Sequence, residues 1–303
     1  MLMDTVIRDF VVYLCAELGY STQTARSYQY DLRQFCEFLK AHDVLLYPRH
    51  VTTRLVREWV IELHERGLSN NTVARYLYAL RSFWDYLRKQ GMVSEDPVRE
   101  VSVPKRTRSL PRYLGAEDLQ RILNASQRNR TARCAFRNYA MMTMLIFTGM
   151  RRGELINLRL SDISLTEKTV RVNGKGGKVR LIPLVDNAVE AIADWLEFRP
   201  SDCKADYLFT TFHGNRIHPT GIQLIWRGIL EKSGLQGQGV TLHTLRHSCA
   251  TLLLRSGQCS LVEIQQILGH SRLDTTAVYL HFSERGLRDA VHAHPLAEQK
   301  EPN

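Results

Sequence analysis

Three prolines, Pro97, Pro104 and Pro111, fall within the stretch SEDPVREVSVPKRTRSLPR, residues 94–112. Proline locks φ and removes a backbone donor, so no helix or strand runs through this segment. The stretch therefore reads as a linker between two bodies. The stretch is also basic: Lys105, Arg106, Arg108 and Arg112 face no acid between Val101 and Arg112. A solvated linker has this composition, and so does a strap that crosses a nucleic-acid backbone.

Residues 1–100 read as a small all-helical domain. Val6, Phe10, Tyr13, Leu14 and Leu18 make an apolar stripe at helical spacing that Gly19 stops. Ser21 is placed to N-cap a second helix bearing Tyr28, Leu32, Phe35, Phe38 and Leu39. A third helix is expected near residues 53–65, ending at Gly67. A fourth follows Ser69, with Val73, Leu77, Leu80, Phe83, Trp84 and Leu87 on one face. The aromatics suit a core. The polar residues of the second and fourth helices, Thr24, Arg26, Ser27, Tyr30, Asn70, Asn71, Arg75 and Tyr76, suit either phosphate contact or a solvated face.

From Tyr113 onward the pattern is mixed. Helices are expected over residues 116–124, 137–147, 186–198, 220–232 and 261–268, with strands over 169–172, 179–182 and 207–210. The predicted organisation is a helical domain (1–100), a basic linker (101–112), a mixed domain (113–285) and a C-terminal helix or tail (286–303). The fold class is mainly α with a small β-sheet.

Charge is unevenly spread. Residues 1–100 hold equal numbers of acids and bases, so the whole formal excess of +10 lies in residues 101–303. This favours a polyanionic partner, most simply nucleic acid, although a basic protein without one has the same balance. No long apolar run or signal-peptide pattern occurs, and the six cysteines form no CxxC pair. A cytoplasmic protein with reduced thiols is expected, with no metal site and no disulfide frame. The lysines of NGKGGK, Lys175 and Lys178, sit on a hairpin turn that is not a P-loop, since GxxxxGK[ST] is absent.

The densest chemistry lies in TLHTLRHSCATLLLRSGQCSLVEIQQILGHSRLDTTAVYLH, residues 241–281. His243 and His247 form an HxxxH pair, but Thr244 stands where a zincin needs its glutamate base. His243 and Arg246 share one helical face, as do Arg151 and Glu154 of TGMRRGEL. Singly, each feature has a bland explanation: a surface ion pair, a C-capping histidine at 270, a core aromatic at 279. Together they can converge on one phosphate, with a tyrosine free to attack it.

The motifs TGMRRGEL, NGKGGK, HTLRH, LGH and TTAVYLH, in this order, resemble the tyrosine site-specific recombinases of the phage integrase family, and the layout is most similar to the Xer recombinases. The resemblance implies a catalytic set of Arg151, Lys175, His243, Arg246, His270 and the nucleophile Tyr279, with Glu154 supporting Arg151. It leaves His247 and Arg272 as bystanders. It further implies cleavage of duplex DNA through a 3′-phosphotyrosyl link, without metal or cofactor, and strand exchange through a Holliday junction. The expected partners are DNA bearing a recombination site, gripped by a C-shaped clamp. The assembly would be a homo-tetramer, or a hetero-tetramer with a paralogous recombinase, with the C-terminal helix docked on a neighbour. Arg26, Arg75, Lys105, Arg106, Arg108 and Lys178 become candidate DNA contacts. Chromosome or plasmid dimer resolution and mobile-element integration both remain open. A type IB topoisomerase is disfavoured by the separate helical domain, and an inert DNA-binding regulator by the complete catalytic set.

Overall fold

Three of the four helices of the first unit begin where the chain offers a side-chain oxygen. Ser21 Oγ accepts the Thr24 N–H at 3.1 Å, Thr52 Oγ1 that of Leu55 at 3.3 Å, and Ser69 Oγ that of Thr72 at 3.3 Å. Each bond satisfies a donor that the first helical turn cannot pair internally. The helices are α1 (Met3–Ala16), α2 (Thr22–Ala41), α3 (Thr53–Glu65) and α4 (Asn70–Lys89). These are the elements expected from periodicity. The computed structural model describes residues 2–105, 112–174, 177–201, 203 and 206–269. It divides into two compact units, Met1–Ser109 and Leu110–Asn303.

The first unit is held by an aromatic core. Phe10 meets Phe83 edge-on at 5.3 Å, and Phe35 lies 4.8 Å from Trp59. Val98 and Val101 are buried in the same core, so packed structure continues past residue 100 into the proline-bearing stretch. Tyr76 departs from expectation. It is buried at 6% exposure and stacks on Trp59 with the rings 7° from parallel, so it belongs to the core and not to an exposed polar face. The apolar face of α4 is wide enough to take in position 76 beside Val73, Leu77 and Leu80.

The second unit is built on α6 (Ala132–Thr148), which is apolar nearly all round and packs against α5 (Ala116–Gln127), α8 (Asp186–Phe198) and α10 (Leu242–Arg255). Alternation of branched residues gives an antiparallel sheet ordered β1 (Ile163–Ser164), β2 (Thr169–Asn173), β3 (Val179–Pro183). Val172 pairs with Arg180 in its register. The strand expected over 207–210 is replaced by two isolated antiparallel bridges, Arg159–Tyr207 and Thr210–Arg216. The other elements are the single turn α7 (Arg152–Leu155), α9 (Pro219–Ser233) and α11 (Leu261–Leu268). Among the described residues no helix is long and apolar enough to cross a membrane.

Candidate active site

Two glycines let the site close. Gly149 ends α6 at φ +58°, and a Cβ there would lie 2.6 Å from the Leu268 side chain and 3.2 Å from Cys249 Sγ. Gly269 ends α11 at φ +66°, and a Cβ there would lie 2.9 Å from Arg180 Nη1. Both need the left-handed conformation, and both allow an approach that a side chain would block.

Arg151 follows directly after the first glycine turn and N-caps α7. Its backbone N–H donates to Glu154 Oε2 at 2.7 Å, and its Nη1 to Glu154 Oε1 at 2.8 Å. The Glu154 side chain is 7% exposed and the Arg151 side chain 40% exposed, so the acid is held inside and the base faces outward. A second arginine meets the same carboxylate. Arg180 of β3 donates from Nη1 to Oε1 at 3.1 Å and from Nη2 to Oε2 at 2.8 Å. Burial alone would raise the Glu154 pKa. The hydrogen bonds from Arg180 and Arg151 and the charge of Arg180 outweigh it and hold the carboxyl below its ordinary value.

The C-terminal end of α11 is where these groups meet. A helix leaves its last carbonyls without intrahelical donors, and that end carries the negative pole of the dipole. Three successive carbonyls each accept from a different arginine. Arg180 Nε donates to Ile267 O at 2.8 Å, Arg246 Nη2 to Leu268 O at 2.7 Å, and Arg151 Nη2 to Gly269 O at 3.3 Å. Arg246, on α10, also donates from Nη1 to Gly149 O at 2.7 Å. Two of its five N–H groups are thus committed to carbonyls that fix the guanidinium plane. The chain runs from this knot directly into His270.

His243 lies one turn before Arg246 on α10. Its pKa is lowered by burial and by the Arg246 and Arg151 charges. Both causes favour the neutral imidazole, the form that can accept a proton. His247 stands edge-on to it at 4.5 Å, and burial with the charges of His243 and Arg246 pushes its pKa down to about 4. The helix is anchored through Ser248 Oγ, which accepts the Leu114 N–H at 2.8 Å and donates to Thr244 O at 2.9 Å. The NGKGGK turn begins at the same place, since a Cβ on Gly174 would lie 3.9 Å from Glu154 Oε1.

The structure thus brings Arg151, Glu154 and Arg246 together at α11, with His243 close enough to feel both arginine charges. Lys178 is exposed just before β3. Lys175, His270, Arg272 and Tyr279 lie outside the described residues, as do Arg106, Arg108, the helix expected to carry Tyr279, and the C-terminal tail. Arg180 is the participant that sequence reasoning missed. The available signal was one charge inside the strand VRLIP, two residues from buried Ile182 and so on the same face.

Among the candidate DNA contacts of the first unit, Arg26 and Lys105 are exposed. Arg75 is built differently. Its Nη1 donates to both oxygens of Asp31, a carboxylate side chain only 1% exposed, while the Arg75 side chain is 44% exposed and its guanidinium carbon lies over the Tyr76 ring at 4.8 Å. Burial pushes the Asp31 pKa up to about 6 against the pull of Arg75.

Residues 112–285 match the phage integrase family, and residues 7–91 match the phage integrase N-terminal SAM-like domain. The chain belongs to the phage integrase family. It is a tyrosine recombinase, 34% identical over 301 residues to tyrosine recombinase XerD of Listeria monocytogenes serotype 4b, covering 97% of this chain and 100% of that protein. Tyrosine recombinase XerC of Roseiflexus castenholzii is also 34% identical, over 99% of this chain and 96% of its own. Among solved structures, the XerH site-specific recombinase bound to its palindromic difH substrate after cleavage superposes with a TM-score of 0.73, at 24% identity over 96% of this chain and 95% of that one. That likeness concerns the fold of this recombinase, a helical N-terminal domain followed by a catalytic domain.

Proposed function

We propose that this recombinase cuts and rejoins duplex DNA at a specific site through a covalent link to Tyr279. The observation that carries the reading is Arg151. It is a half-exposed guanidinium fixed by a buried carboxylate, and it shares the end of α11 with Arg246. Such an arrangement receives an anion without first having to organise itself.

Each group then has a task set by its chemistry. The Tyr279 Oη attacks phosphorus, the bond to the 5′-oxygen breaks, and the phosphate remains on the enzyme as a 3′-phosphotyrosine. Phenol has a pKa of ~10, so its proton must leave as attack proceeds, and neutral His243 takes it. Lys175 gives a proton to the departing 5′-oxygen. Arg151 and Arg246 neutralise charge that builds on the non-bridging oxygens, and His270 donates a further hydrogen bond. The phosphotyrosyl ester keeps the energy of the broken linkage, so a new 5′-hydroxyl can reverse the step on another strand.

Full-length similarity to XerD and XerC proteins favours an Xer-like role, resolving chromosome or plasmid dimers. In this reading four protomers, identical or paired with a paralogue, act in the cytoplasm on one pair of DNA sites. Arg26, Arg75, Lys105, Arg106, Arg108 and Lys178 supply phosphate contacts outside the reacting centre.

The test uses DNA recovered by sequencing genomic fragments trapped on the protein in cells. A synthetic duplex of that sequence, nicked beside the scissile phosphate, should become covalently attached to the wild-type chain and not to Tyr279→Phe. Absence of a wild-type adduct on that duplex counts against the reading.

A further inference from the structure

The catalytic set implied by the motifs contains two arginines, but the end of α11 is held by three. Arg180 differs from the other two in where it stands. Its side chain is 12% exposed, against 40% for Arg151, and three of its five N–H groups go to Glu154 and to Ile267 O. It is therefore poorly placed to meet a phosphate and well placed to fix the groups that do.

We propose that Arg180 is a positioning residue of the strand-cleavage site. Through Glu154 it holds Arg151, and through the Ile267 carbonyl it holds the end of α11 that leads into His270. Three parts of the chain are joined at this side chain. β3 brings it from the far side of the hairpin whose turn carries Lys175. Glu154 lies in the first turn after the α6 glycine. Ile267 is in the last turn of α11.

Without Arg180, Glu154 keeps only Arg151 as a described side-chain donor. The carboxylate is then free to rotate about the Arg151 contacts, and the Ile267 carbonyl loses its donor. Gly269 fits the same reading: a Cβ there would come within 3.1 Å of the Arg180 Cδ and Cζ, so the glycine makes room for this arginine as well as capping the helix. The inference rests on the reading of Arg151 as the residue that holds the scissile phosphate.

The experiment measures covalent adduct formation by the full-length chain on the nicked duplex described above, at saturating DNA, alongside binding and thermal melting. Arg180→Met should slow adduct formation about a hundredfold, the scale expected when a reacting group is misplaced by roughly an ångström. The DNA concentration for half-saturation should stay unchanged. Glu154→Gln should show a comparable loss, and the double variant should fall no further than the worse single, because the two side chains share the contact that holds Arg151 in place.

Arg180→Lys keeps the charge but cannot bond both Glu154 oxygens and Ile267 O in one plane. It should fold and still cleave slowly, which decides the matter if Arg180→Met does not fold. The inference is overturned if Arg180→Lys cleaves at the wild-type rate. It is also overturned if the losses of Arg180→Met and Glu154→Gln multiply, or if slow cleavage tracks the unfolded fraction. Arg151→Ala separates the two levels: if it cleaves normally, the site reading itself has failed. If it is inactive while the Arg180 variants are normal, only the positioning role has.

Discussion

A carboxylate held at 7% exposure by two guanidinium groups is expensive to desolvate and easily lost if one partner goes. That is the residue-scale character of this site: Glu154 is fixed by Arg180 and in turn fixes Arg151, the guanidinium proposed to receive the phosphate. The imidazoles show the same economy of motion. Burial and neighbouring charge keep His243 and His247 neutral, and for His247 this has a measurable consequence. Its folded-state pKa of about 4 lies below the ordinary 6.5, so the unfolded chain takes up the proton first as pH falls. The stability it permits is whole above pH 6.5 and is lost progressively towards pH 4. His247→Gln should flatten that acid limb, read as the urea midpoint of the second unit at several pH values. Were the midpoint of the variant to fall with pH as steeply as wild type, His247 would not be the titrating group.

Elements matter here through their ends. α6 and α11 both stop in left-handed glycines, and the last two carbonyls of α11 and that of its Gly269 cap each meet a different arginine. Gly269→Ala should therefore cost about 1–2 kcal/mol from backbone strain alone, measured by urea unfolding. It should also slow cleavage, because the added Cβ displaces Arg180. A variant that loses the stability but cleaves normally would show that the end of α11 tolerates movement. Much at this scale was legible beforehand. The bounds of α8 and α11 agree with the spacing of apolar residues, and the caps at Ser21 and Ser69 are those the sequence offers. The exceptions are instructive. The 207–210 segment has strand-like composition but no neighbouring strand of sufficient length, so it forms only isolated bridges. Tyr76 carries a polar hydroxyl on a helix face yet is drawn inward by the flat face of Trp59.

At the scale of the whole molecule, each unit closes its own core. Trp59, Phe35 and Phe10 belong to the first, and Leu145, Ile192 and Leu245 to the second. Trp59→Ala should lower the stability of the first unit by about 3–5 kcal/mol. Hydrogen-exchange protection of α6 and α8 should be unaffected. Loss of protection in both units would mean that they unfold together. Most of the positive excess falls in the second unit: residues 1–109 carry +3 of the formal +10 and residues 110–303 the other +7. It suits the proposed engagement of a polyanion by the unit that carries the proposed reacting groups.

The sequence by itself determined the helical character of the first unit, the hairpin, and the order of motifs that marks the family. These are local properties, encoded in residues a few positions apart, where periodicity, capping and proline act. Only the tertiary structure decided which side chains meet at the end of α11. Arg151, Arg180 and Arg246 lie on a helix cap, a strand and a helix, and no spacing rule joins them. What joins them is a physical need of the folded chain: three orphan carbonyls and one buried carboxylate require donors, and these three guanidinium groups are within reach.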